Sequence, residues 1–136
     1  MGTAILWIHA AAGAVWIGAC ACFVIAGLAL TPGSEEHRNF VIRSAPKIDR
    51  LAMLAAALLF LTGLVNLYEA AFSRQFSFST AFTTVLAIKI ILFVAMLATM
   101  RSSMKTGAMN RMVKAHAAIV AMGSIALLLG LWLIGS

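Results

Sequence analysis

The chain has 136 residues, 63% of them hydrophobic and only 10% charged, with a mean hydropathy of +1.04. A soluble domain carries roughly a quarter charged residues, so a soluble globule of this composition could not cover its own surface. Soluble enzymes, coiled coils and disordered chains are excluded, and the net charge of +6 reads as membrane orientation rather than as a nucleic-acid partner.

The expected fold is all-α: one transmembrane domain over residues 1–136, an integral membrane four-helix bundle in the lipid bilayer. The alternation that marks barrel strands is missing. The first span runs from about Ala4 to Leu30 and closes at Thr31-Pro32-Gly33-Ser34. It lacks the basic start and cleavage site of a signal peptide. Cys20 and Cys22, two apart on a helix, cannot pair. The second span runs from about Leu51 to Phe72, with Glu69 near its end. The third runs from about Phe82 to Met100 with Lys89 inside it, and the fourth from about Met112 to Ile134 with His116 near its start. The links are a basic one at 31–50, a polar one at 73–81 and a basic one at 101–111.

Arg38, Arg43, Lys47 and Arg50 fall in the first link region, and Arg101, Lys105, Arg111 and Lys114 in the third. Arg74 alone falls opposite, and Lys89 lies within the membrane. The positive-inside rule places the basic links in the cytoplasm and both termini outside, in a multi-pass plasma-membrane protein. Trp7 and Trp132 then fall near the outer interface.

Ionisable groups inside a span are costly and usually functional. Rise per residue puts His9 about 8 Å, Lys89 about 10 Å and Asn66 about 9 Å below the outer face, with Glu69 shallower at about 4 Å. Three helices thus place polar groups in one outer layer. His9, Gly13, Trp16 and Cys20 share a stripe, as do Thr62, Asn66 and Glu69, and Lys89, Phe93, Met96 and Met100. Gly13 is positioned to let a flat group or another helix approach. His9 alone suits a structural role as well as a ligand, and Asn66 and Thr62 suit helix packing. A lysine as deep as Lys89 needs a carboxylate, a ligand anion or water.

An inner layer gathers Cys20, Met53, Met96, Met100 and His116. Met96, Met100 and Met104 recur every four residues, and sulfur ligands suit Cu(I); methionine is also an ordinary gap-filler. His116 is placed to pair with Asp49 or to act as a ligand. Catalytic motifs of soluble hydrolases and kinases are missing, which leaves chemistry carried by a bound cofactor or metal, or movement of an ion or electron.

The segment His9-Ala-Ala-Ala-Gly-Ala-Val-Trp16-Ile-Gly18 resembles the opening helix of the CopD and HemJ superfamily. Leu61-Thr62-Gly63-Leu64 is similar to its Thr-Gly segment, and Ala87-Ile88-Lys89-Ile90-Ile91-Leu92 to its Lys-bearing helix. HemJ proteins bind haem b and oxidise protoporphyrinogen; CopD proteins are associated with copper uptake. The resemblance implies functional roles for His9 and Lys89. Two departures bring the chain closer to CopD: Ala19 stands where HemJ has an arginine, and His116 near the place of an acidic residue.

The leading expectation is a membrane redox protein with haem b in the bundle, a haem-dependent oxidoreductase or electron carrier. His9 would be an axial ligand, Lys89 would neutralise a propionate or assist proton transfer, and Gly13, Trp16, Asn66 and Phe93 would line the cofactor. His9 and His116 fall in opposite leaflets and do not ligate one iron. The alternatives are copper binding or import through Cys20, Met96, Met100 and His116, and a non-catalytic accessory subunit. A redox partner, a larger membrane complex or a second copy of the chain are the partners these readings imply.

Overall fold

The computed structural model describes residues 2–72, 79–106 and 109–135, with side chains over 4–69, 71–72, 79–103 and 111–130. Four helices follow one another: α1 (Gly2–Ala29), α2 (Glu35–Phe72), α3 (Thr80–Thr106) and α4 (Met109–Gly135). All four are long and apolar enough to cross a membrane. The α1–α2 turn is built as its sequence dictates. Gly33 takes a positive φ of 84°, Ser34 N–H donates to the Thr31 carbonyl at 3.0 Å, and Ser34 Oγ accepts the His37 N–H at 3.1 Å as an N-cap. Glu35 and Glu36 follow in the first turn, where acidic groups suit the helix dipole. Ser79 caps α3 in the same way through Phe82 N–H, at 3.2 Å.

The basic segment expected as a link at 31–50 is instead helix from Glu35 onward, and α3 likewise continues through Arg101 to Thr106. Charge moves a helix out of the hydrocarbon but does not end it; Gly33 and Ser34 end α1 and start α2. Pro46 sits inside α2 on its exposed side, so the hydrogen bond it cannot donate is lost where polar surroundings can replace it. Arg74 and the side chains of Met104, Lys105 and Trp132 lie outside the described residues.

In space the helices run α2, α1, α4, α3. The middle pair, α1 and α4, pack on each other, α2 packs on α1 and α3 on α4, while α2 and α3 make little direct contact. Contacts fix the register. His9 meets Thr62 and Gly63, Gly13 meets Leu59, and Gly27 meets Phe40 and Val113. Across α1 and α4, Ile17 meets Gly123 and Phe23 meets His116. Across α3 and α4, Lys89 meets Gly130 and Met96 meets Gly123. Each of these three pairs runs antiparallel, so Gly2 and Gly135 lie at the same end of the bundle.

At the opposite end Arg38, Arg43, Lys47, Arg50, Arg101, Arg111 and Lys114 are all exposed. The register sets Arg50 and Arg101 level with about residue 21 of α1. From there to the start of α1 is roughly 30 Å, one hydrocarbon thickness. Two apolar cores fill the bundle. Trp16, Cys20, Ala52, Ala55, Ala56, Met96, Met100 and Ile119 pack in the centre, and Phe23, Val41 and Ala45 pack at the basic end. At the first of these, three helices meet on Gly123. A Cβ there would stand 2.6 Å and 2.8 Å from two Ile17 carbons, and Ile17 is β-branched and stiff. Gly123→Val is expected to destabilise the bundle by about 1–3 kcal/mol, measured by thermal unfolding in detergent, with Ile17→Ala in the same chain restoring much of the loss.

Candidate functional site

A quarter of the way along α1, His9 turns its ring toward α2. Thr62 shares its stripe of α2 with Asn66 and Glu69, and its hydroxyl donates its single proton to the Leu58 carbonyl at 2.6 Å. The same oxygen lies 2.8 Å from His9 Nδ1, so it accepts and Nδ1 carries the imidazole proton. Nε2 is then the ring nitrogen with a lone pair. Gly63 packs against the ring: a Cβ there would sit 3.4 Å from His9 Cε1, a close van der Waals contact. Thr62 holds the tautomer and Gly63 keeps the contact with the imidazole loose.

Lys89 lies on the same level. Its register partner Gly130 is level with Ala10 of α1, one residue from His9. A Cβ on Gly130 would stand 2.7 Å from Lys89 Nζ, so the ammonium rests in the space that the glycine leaves on α4. The lysine is only half-buried, and among the described residues no carboxylate lies within ion-pair distance of it. Glu69, the carboxylate near the terminal end of α2, is not paired with it. Asn66 falls one turn, roughly 6 Å, beyond the His9 level toward the terminal end.

Trp16 and Phe93 meet edge to face, with ring centroids 5.7 Å apart. They form the edge of the central core that faces His9 and Lys89, a floor beneath that level. Trp16 is 1% exposed and its indole Nε1 has no hydrogen-bond partner among the described residues. Gly13 is buried in the α1–α2 contact, where a Cβ would meet Leu59 at an ordinary 3.7 Å; no close approach depends on its being glycine.

The layer nearer the basic end divides. Cys20, Met96 and Met100 share one buried cluster, but Met53 faces outward, 49% exposed. His116 sits a turn further toward the basic end, fully buried against Phe23. Its Nδ1 donates to the Met112 carbonyl at 2.8 Å. Its Nε2 lies 3.2 Å from Asp49 Oδ1, in ion-pair contact but off the axis of an N–H bond. A second proton, on Nε2 or on the carboxyl, is what this contact requires, so both ring nitrogens are engaged, one by Met112 and one by Asp49. His116 is roughly 20 Å from His9 along the bundle, too far for a shared ion.

Two residues escape a reading by spans. Gly130 seats Lys89, yet nothing in its apolar surroundings signals this. His37 is 3% exposed with Nδ1 unpartnered among the described residues; it lies in a stretch whose charges read as a link. Among the described residues no group of three or more His, Cys, Asp and Glu is gathered to hold a metal. Compared with family models, curated proteins and solved structures, the chain matches none.

Proposed function

We propose that the chain is a membrane redox protein of the CopD and HemJ type that holds haem b in the half of the bilayer nearer the termini. One observation carries the reading: an imidazole fixed as its Nδ1–H tautomer, with Nε2 left as a ligand, stands level with an ammonium that has no counter-ion among the described residues. These donors fit a haem, which joins a metal to two carboxylates. When bound, it would supply one-electron chemistry. His9 would hold it through Nε2 while Thr62 keeps the ring oriented. Lys89 would pair with a propionate carboxylate or hold a proton beside it. Trp16 and Phe93 would exclude water from below. Because α2 and α3 barely touch, the layer is approached sideways from the lipid, which suits an apolar substrate or electron donor. The optical spectrum of the purified protein tests the proposal; a Soret band with resolved α and β bands is expected.

A second reading has one observation in its favour. Cys20, Met96 and Met100 bring three sulfur atoms into one buried cluster, a donor set suited to Cu(I). A colourless protein with stoichiometric copper would select it.

We assign the basic end to the cytoplasm and both termini to the outside of the plasma membrane, on the seven exposed cations at that end. In a Cys22→Ser background, a cysteine at Asn39 should resist an impermeant thiol reagent in intact cells, and one at Thr80 should react. Both positions are exposed, at opposite ends. Ser103 is unsuitable for this purpose, being buried. The reverse labelling pattern would invert the orientation.

A further inference from the structure

Neither α3 nor α4 contains a single Asp or Glu, yet together they present Arg101, Arg111 and Lys114 to the surroundings at the basic end. Asp49, toward this end of α2, is taken by His116, and among the described residues no carboxylate is in ion-pair contact with these cations. A ligand anion can supply their countercharge. Between the two helices at this end lies a crevice of about 390 Å³ lined by Ala98, Thr99, Ser102, Ser103, Arg111 and Ala115, within the size range of small-ligand sites.

The lining changes character with depth. By the register, Ala98 lies just inside the hydrocarbon, Ser102 and Ser103 at its boundary, and Arg111 at headgroup height. Thr99 donates its hydroxyl proton to the Ala95 carbonyl and Ser103 to the Met100 carbonyl, both at 2.8 Å. Their oxygens therefore face the crevice as acceptors. Toward the bilayer centre the α3 wall continues as Val94 and Ile91, 58% and 67% exposed, which follow Ser102 and Ala98 at helical spacing. The α4 wall continues from Ala115 through Ala118 to the exposed Ile125.

We propose that this crevice binds one anionic phospholipid of the phosphatidylglycerol type from the leaflet at the basic end. Arg111 takes the phosphodiester. The Thr99 and Ser103 oxygens accept from headgroup hydroxyls, donors that phosphatidylcholine lacks. The small side chains at Ala98 and Ala115 admit the glycerol backbone, and the acyl chains lie along Val94, Ile91 and Ile125. The site is independent of the haem layer, which lies in the other half of the bilayer.

The test is association of spin-labelled phosphatidylglycerol and phosphatidylcholine with the full chain in vesicles. Wild type should prefer the anionic lipid about fivefold per engaged cation, the worth of one basic side chain near the surface. Arg111→Gln should lose most of that preference. Ala115→Leu should lose it too while keeping every charge, and Ala98→Leu fills the same crevice from α3 should Ala115→Leu not insert. Arg43→Gln, on the distant α2, should leave it unchanged. Equal association of the two lipids with wild type would overturn the proposal. So would full preference in the filled variants, or an equal loss in Arg43→Gln, since either would mean a diffuse field. Displacement of the lipid by inorganic phosphate alone would reassign the crevice to a soluble anion.

Discussion

His9→Ala is expected to strip the Soret band from the purified protein, because the iron loses the nitrogen ligand that Thr62 orients. Thr62→Val keeps His9 but removes the acceptor that holds its Nδ1 proton, so haem affinity should fall about 10–100-fold, the usual cost of losing such a supporting hydrogen bond. Met96→Leu with Met100→Leu keeps volume and apolarity in the central core, at a cost below about 1.5 kcal/mol for each swap. The spectrum of that double variant should be unchanged. Copper binding through the sulfur cluster requires the opposite pattern, with metal retained in His9→Ala and lost in the double variant. The same constructs therefore separate the two readings, and a spectrum indifferent to His9 would discard the haem assignment.

Lys89→Met should insert and fold at least as well as wild type, since a charge at the centre of a span costs about 2.5–3.5 kcal/mol on insertion scales. It should nonetheless lose cofactor retention or activity, because among the described residues the ammonium has no carboxylate to serve structurally. Gly130→Ala gives an independent check that leaves the charge in place. Its methyl would occupy a point 2.7 Å from Nζ, so the flexible lysine has to leave its seat. Alanine also favours helix over glycine by about 1 kcal/mol, so stability should hold or rise while cofactor retention falls. Full retention in both variants would make Lys89 a structural lysine.

The four spans and the His9–Lys89 level were legible because hydropathy and helical rise are properties of each segment alone. Helix ends were less so. Arg38 to Arg50 read as a link by charge, yet no residue there breaks a helix except Pro46, which an exposed face tolerates. Depth along α2 was also displaced. Counting from its apolar end put Asn66 beside His9, whereas the hairpin register brings Thr62 there instead. That register is a property of two helices and is not written in either. The roles of Gly123 and Gly130 were hidden for the same reason: each glycine answers a side chain on another helix. The choice between His116 as ligand and as ion-pair partner was open until Met112 and Asp49 were found at its two nitrogens.

α1 is apolar over Ala4–Ala29, 26 residues, or roughly 39 Å of helix against about 30 Å of hydrocarbon. Its surplus turns, with Ile25 and Leu28 largely exposed, stand level with the arginines of α2. This is a hydrophobic mismatch built into one helix of four. A tilt of about 20° absorbs only part of it; the rest falls on the lipid, which thickens around α1 while the arginines of α2 draw headgroups inward beside it. The bundle thus imposes an uneven boundary on one leaflet, and bilayer thickness becomes a variable that sets how its helices lean on one another.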